Sequence, residues 1–134
     1  MIKWGIIGPG AIAHKFANEI DNTEKGKLIS AYGRNEEKVK NFAKEYDLST
    51  YYTNLDEFLN NKEIDAVYIA TPHSNHREFA IKCIKAGKHV LCEKPFSYNY
   101  ESSKEIIELA KEKNVFIMEA LWTLFLPAVK KAKY

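Results

Sequence analysis

The chain opens on an apolar run, Ile2-Lys3-Trp4-Gly5-Ile6-Ile7, that passes without a spacer into Gly8-Pro9-Gly10-Ala11-Ile12-Ala13. A strand that ends in a GxGxxA turn and starts a helix leaves few folds open. Gly8 permits the tight turn, Gly10 lets the backbone come close to a ligand, and Ala13 is small enough for the helix to lie against its strand. The free N–H groups of the first helical turn then face an anion. Ala11, Ile12, Phe16, Ala17 and Ile20 recur at helical spacing, so the required helix follows. Residues 8–12 are therefore expected to hold the pyrophosphate of a dinucleotide.

Further apolar runs at 27–32, 66–70, 89–92 and 115–118 alternate with helical stretches at 12–21, 36–46, 75–86 and 101–113. Strands separated by helices pair in parallel, and the helices cover both faces. The expected fold is α/β, a Rossmann-type doubly wound and mostly parallel sheet. A shorter unit adds an edge strand at 49–52 and a brief helix at 54–60, with Asn54 or Asp56 near its N-cap. The charge runs at 35–44 and 101–113 read as solvated helix faces. Residues 1–120 form the nucleotide-binding unit. The apolar segment that follows, within 121–134, is either a terminal helix folding onto the sheet or the start of a crossover into a second domain.

At 134 residues the chain is one domain, short of the length a two-domain dehydrogenase needs. Twenty Lys and Arg against 18 Asp and Glu leave a net charge of +2, too little for a general basic field. Neither nucleic acid nor a membrane is expected as a partner. No apolar run is long enough for a secretory signal or a bilayer span, and the chain reads as cytoplasmic. Cys83 and Cys92 match neither a redox pair nor a zinc spacing, and are expected to be reduced and buried.

An acidic side chain that binds the adenosine ribose should lie about twenty residues beyond the glycine turn. The sequence there reads Tyr32-Gly33-Arg34-Asn35-Glu36-Glu37-Lys38, with no carboxylate at the expected place and a guanidinium directly after it. Arg34 offers a planar donor fork to a 2′-phosphate, and Lys38, one helical turn on, a second positive charge. Asn35 either caps the helix or donates to an oxygen. NADP is the expected cofactor; NAD stays open, with Arg34 stacked on adenine.

The loop Ala70-Thr71-Pro72-His73-Ser74-Asn75-His76 falls at the carboxyl end of a strand, where open α/β sheets bind ligands. It is expected to line the nicotinamide half, with Thr71, Pro72, His73 and His76 as candidate contacts. The two histidines have no third ligand nearby, so no metal is expected; capping or packing at the next helix is their other open role. The following strand ends in Cys92-Glu93-Lys94-Pro95, and a Lys-Pro bond there can adopt cis and turn Lys94 into the crevice. Lys94 is the candidate catalytic residue and, with Glu93, a candidate contact to the cofactor. Its ammonium can hydrogen-bond a substrate oxygen, stabilise alkoxide charge or relay a proton, with Glu93 as orienting partner.

Gly8 to Ala13, Ala70-Thr71-Pro72 with His76, and Ala86-Gly87-Lys88-His89-Val90-Leu91-Cys92-Glu93-Lys94-Pro95 together resemble the N-terminal domain of the Gfo/Idh/MocA oxidoreductases. The tail Met118-Glu119-Ala120-Leu121-Trp122 resembles the dihydrodiol dehydrogenase and glucose-fructose oxidoreductase branch. The resemblance implies that Lys94 is the active-site lysine, that Arg34 meets the 2′-phosphate, and that Trp122 lies at the cofactor site. It also implies a second, largely antiparallel domain that supplies substrate contacts and a homo-oligomer interface. Leu124 departs from the arginine common in that branch, which puts one cofactor or substrate contact in question. The resulting expectation is hydride transfer between nicotinamide and a hydroxyl or carbonyl carbon of a sugar, cyclitol or diol, with little turnover by this stretch alone. A nucleotide-binding or assembly module without catalysis is the alternative.

Overall fold

Apolar residues on alternate sides of each strand build two separate cores, so the sheet must be covered on both faces. In this computed structural model, which describes residues 1–132, six strands form one wholly parallel sheet. They are β1 (Ile2–Ile7), β2 (Gly26–Tyr32), β3 (Thr50–Tyr52), β4 (Ala66–Ile69), β5 (His89–Glu93) and β6 (Ile117–Ala120), in the order β3-β2-β1-β4-β5-β6. The helices are α1 (Ala11–Ile20), α2 (Glu36–Glu45), α3 (Leu55–Asn60), α4 (His76–Lys85), α5 (Tyr100–Glu112) and α6 (Pro127–Ala132). Ile6 packs with Ala13 and Ala17 of α1 and with Val39 and Phe42 of α2. Its neighbour Ile7 points the other way, into a core with Phe58 of α3, Phe79 and Ile84 of α4 and Ile106 of α5.

The chain runs outward from β1 to β3, returns to β4 and then runs the opposite way to β6. That reversal opens a crevice between the carboxyl ends of β1 and β4, the place where doubly wound sheets bind their ligands. Small residues bring α1 close: Ala13 and Ala17 are fully or almost fully buried, one turn apart. Phe16 beside them stacks on Tyr68 of β4 at 4.3 Å.

Asparagines start three of the helices. The side chains of Asn35, Asn54 and Asn99 accept hydrogen bonds from Lys38 N, Glu57 N and Ser102 N at 3.0, 3.1 and 2.9 Å. Each cap is worth about 1 kcal/mol. Asn54, not Asp56, is the cap of α3. Strand β6 begins two residues later than its apolar run suggests. Asn114 takes a left-handed φ of 55° after α5, Val115 N donates to Ala110 O, and Phe116 N donates to His89 Nδ1. Those bonds close the helix before the ladder can start at Ile117, opposite Val90.

The helices share the sheet unequally. On the α1 side, the β4–β5–β6 half is left with a hollow of about 780 Å³ bordered by Trp4, Phe16, Tyr68, Leu91, Met118 and Trp122. The segment after β6 forms a short 3-10 turn, Trp122–Phe125, and then α6, and none of its described residues is buried. Positions 133 and 134 of the predicted terminal segment lie outside the described residues.

Candidate functional site

The turn after β1 is shaped by contacts that only glycine satisfies. Gly8 has φ +92°, and a Cβ there would meet Thr71 Cγ2 at 2.8 Å and Thr71 N at 3.1 Å. Its N–H donates to Tyr32 O, tying the turn to the end of β2. Gly10 is the N-cap of α1 and supplies no side chain; the first turn holds no acidic residue. The first in-helix amide to find a backbone acceptor is His14 N, on Gly10 O at 3.2 Å. The amides of Ala11, Ile12 and Ala13 are left for an outside acceptor. A Cβ on Gly10 would meet nothing within 4 Å, so the space over these amides is open.

A groove of about 360 Å³ runs along this turn. Gly8, Pro9 and Gly10 line it together with Thr71 and Pro72 and with Arg34, Asn35 and Lys38. Asn35 keeps its side-chain oxygen on Lys38 N as a helix cap, which leaves Arg34 and Lys38 as the exposed cations of the groove. Thr71 Oγ1 is shielded from water and has no hydrogen-bond partner among the described residues. An unpaired buried hydroxyl costs about 1–3 kcal/mol, a cost that a ligand oxygen in the groove would remove. The open cradle at Gly10, the free helix amides and this orphaned hydroxyl fit a pyrophosphate-linked dinucleotide.

Not every predicted contact meets in that groove. Ile12, Glu93 and Trp122 border the apolar hollow instead, and Ala11 is the exposed first residue of α1. His73 is exposed, its ring against Tyr98 at 4.9 Å. His76 is fully buried at the start of α4, in the packing role open to it, and does not line the groove. Its Nδ1 lies 2.8 Å from Pro95 O and its Nε2 2.9 Å from Thr71 O, which ties the loop after β4 to the bend after β5. Among the described residues no three His, Cys, Asp or Glu side chains come together to hold a metal. No described helix is long and apolar enough to cross a membrane.

The Lys94–Pro95 bond is cis. The Lys94 side chain is exposed and lies outside the groove lining, and its ammonium has no partner among the described residues. Beside it, Glu93 Oε1 accepts from Tyr68 Oη at 2.6 Å and Oε2 from Lys94 N at 3.1 Å. Burial, followed by the Glu93 carboxylate, pushes the Tyr68 hydroxyl well above the usual phenol range, so it stays a donor. Sequence reasoning missed Tyr68, and also Asn75 and Phe79, which line the groove from α4 and the residue preceding it. Asn75 falls inside the loop already singled out; Phe79, on the buried face of α4, gave no signal of its own.

The profile of a family described as "Oxidoreductase family, NAD-binding Rossmann fold" matches residues 2–121. A scyllo-inositol 2-dehydrogenase (NADP(+)) of Bacillus subtilis is 38% identical over 133 residues, covering 99% of this chain and 40% of that protein. A trans-1,2-dihydrobenzene-1,2-diol dehydrogenase of Xenopus tropicalis is 32% identical, covering 98% of this chain and 40% of that protein. The crystal structure of a 3-ketoreductase from Actinomadura kijaniata with NADP and TDP-benzene superposes with a TM-score of 0.93 at 24% identity, over 98% of this chain and 40% of that one. That last likeness carries the fold alone. The chain spans about 40% of the length of the curated relatives it matches.

Proposed function

The chain belongs to the Gfo/Idh/MocA oxidoreductase family, and from that membership we propose that it is the NADP-binding domain of an oxidoreductase acting on a sugar, cyclitol or diol. One observation carries the cofactor part: an open Gly10, an orphaned Thr71 hydroxyl, Arg34 and Lys38 line one groove, and Gly10 leads directly into the uncapped amides of α1. The first-turn amides and Gly10 hold the pyrophosphate. Arg34 and Lys38 take the 2′-phosphate, and Thr71 and Pro72 guide the chain of the dinucleotide toward the end of β5. When bound, the nicotinamide supplies a hydride acceptor or donor at its C4. Lys94 places its ammonium at the substrate oxygen, donating a hydrogen bond and offsetting negative charge there.

The names of the inositol and dihydrodiol relatives support a polyhydroxylated substrate class. Residues 1–120 are the cofactor unit, and the segment from 121 leads toward a substrate-binding portion that packs on the exposed hollow and supports a homo-oligomer. The cytoplasm suits the two buried free thiols.

Titrating the 134-residue chain with NADP+ and NAD+ by calorimetry tests the cofactor reading. NADP+ is expected to bind at least about tenfold tighter, as one charge-assisted phosphate contact provides; NAD+ binding tenfold tighter overturns the assignment. Lys94→Ala is expected to leave NADP+ affinity within about threefold, because Lys94 lies off the groove. In the longer enzyme the same change lowers kcat by about 100-fold or more. Unchanged turnover would remove Lys94 from the chemistry.

A further inference from the structure

The bend that carries Lys94 lies beyond the sheet: the β5–β6 ladder pairs Cys92 with Glu119 and ends at Glu93 opposite Ala120. Backbone groups past that point need other partners or remain unpaired. They find them on three elements. Glu93 Oε2 accepts from Lys94 N at 3.1 Å, and His76 Nδ1, at the start of α4, lies 2.8 Å from Pro95 O. From β6, Glu119 Oε2 accepts from Phe96 N at 2.7 Å, the shortest of the three.

Glu119 is out of character for its position. It is partly buried on the same side of β6 as Ile117, a residue packed against the larger core, where strand alternation calls for an apolar side chain. Removing a carboxylate from water there is costly unless it is hydrogen-bonded, and the bond it makes is to the bend. Carboxylates therefore receive N–H groups on both sides of the lysine's Cα, one from the residue before it in sequence and one from the neighbouring strand. With the peptide before the lysine's Cα held by Glu93, and the Pro95–Phe96 peptide one proline ring beyond it held by Glu119 and His76, the direction in which the Lys94 side chain leaves the backbone is set before any ligand arrives.

We propose that Glu119 is a positioning residue for Lys94, acting through the Phe96 N–H together with Glu93 and His76. The proposal rests on the reading of Lys94 as the residue at the substrate oxygen. Glu119 touches neither groove nor substrate, and its effect passes through the backbone alone.

The test compares Glu119→Ala and Glu119→Gln in the 15N-labelled chain. Glu119→Ala speeds hydrogen exchange at the Phe96 amide by about tenfold or more, the loss of one hydrogen bond to a charged acceptor. It also lowers the Lys94 amide order parameter from about 0.85 to below about 0.6. Glu119→Gln, whose side-chain oxygen still accepts, restores both. NADP+ affinity stays within about threefold in each variant, since the groove is held by other residues. Wild-type order at Lys94 in Glu119→Ala, with the Phe96 amide released, overturns the proposal and leaves Glu119 as a local cap only. Should Glu119→Ala not fold, Glu119→Asp carries the test: its shorter side chain draws the carboxylate away from the Phe96 N–H, so Lys94 order is expected to fall as the Phe96 amide exchanges faster, and wild-type order at Lys94 with that amide released overturns the proposal. Failure of the wild type to bind NADP+ would refute the cofactor reading and leave these measurements, made on the free chain, intact.

Discussion

Alanine at the two glycines of the first turn separates folding from binding, because the two positions are glycine for different reasons. At Gly10 the backbone, φ −98° and ψ −168°, suits alanine, and the new methyl meets nothing within 4 Å. Alanine is the poorer N-cap but stiffens the unfolded chain, and these opposing effects are each about 0.5–1 kcal/mol. The unfolding midpoint is expected to stay within about 3 °C of wild type. The methyl occupies the space over the free amides, so at least one charge-assisted bond to the pyrophosphate is lost. That loss is about 1.5–3 kcal/mol, or a weakening of NADP+ binding by about 10- to 150-fold. Gly8→Ala does the reverse first. A left-handed alanine costs about 1–2 kcal/mol, and the 2.8 Å approach to Thr71 Cγ2 adds an overpacking cost of about 1–3 kcal/mol. Together these lower the midpoint by about 6–25 °C for a domain of this size. Thermal unfolding by circular dichroism and calorimetric titration with NADP+ read the pair. Wild-type affinity in a folded Gly10→Ala refutes a pyrophosphate at the mouth of α1.

Arg34→Ala is expected to weaken NADP+ binding about tenfold and NAD+ binding less than threefold, an effect that shrinks with added salt because the side chain is exposed. Equal losses for both cofactors would move Arg34 from the phosphate to the adenine. Thr71→Val removes a hydroxyl that has no partner, so stability holds or rises while NADP+ affinity falls by about 3- to 10-fold; destabilisation beyond about 1 kcal/mol would show that the hydroxyl is satisfied in the free chain. Burial pushes the Cys92 thiol from its ordinary 9.0 up to about 12. Above pH 9 the unfolded thiol ionises while the folded one keeps its proton, so stability is present below pH 9 and declines toward pH 12. Cys92 contributes a slope of up to about 1.4 kcal/mol per pH unit, which Cys92→Ala flattens in urea melts across that range. Lys88 Nζ donates to Asn61 O and Ile64 O at 2.7 and 2.8 Å. Lys88→Met leaves Ile64 O unpaired and Asn61 O with only Ile64 N, at 3.3 Å, and is expected to cost about 1–3 kcal/mol in urea unfolding.

Local patterns carried the fold because they are local. The run into Gly8 and Gly10, the period of α1 and the cap at Asn54 each depend on residues within a few positions of one another. Strand β6 was displaced by bonds from Phe116 to His89 and from Val115 to Ala110, whose geometry the apolar run of 115–118 does not encode. The site was legible where one loop makes it: Gly8 to Gly10, Arg34 with Lys38, and Thr71 with Pro72 do line one groove. It was illegible where strands meet side by side. Tyr68 reaches Glu93 across 25 positions and Glu119 reaches Phe96 across 23, pairings that exist only once β4, β5 and β6 are neighbours. His76 stood out by residue type, but nothing in its surroundings in sequence says that its ring turns inward to two backbone carbonyls.

Because α1 starts on a glycine with no capping side chain, its leading amides are free to donate to an oxyanion supplied by the solution. Phosphate or sulfate buffers then act as weak competitors for the nucleotide and as mild protectants against heat, in proportion to their concentration. Dissociation constants measured in such media are exchange constants, and variants are comparable only when weighed in the same salt.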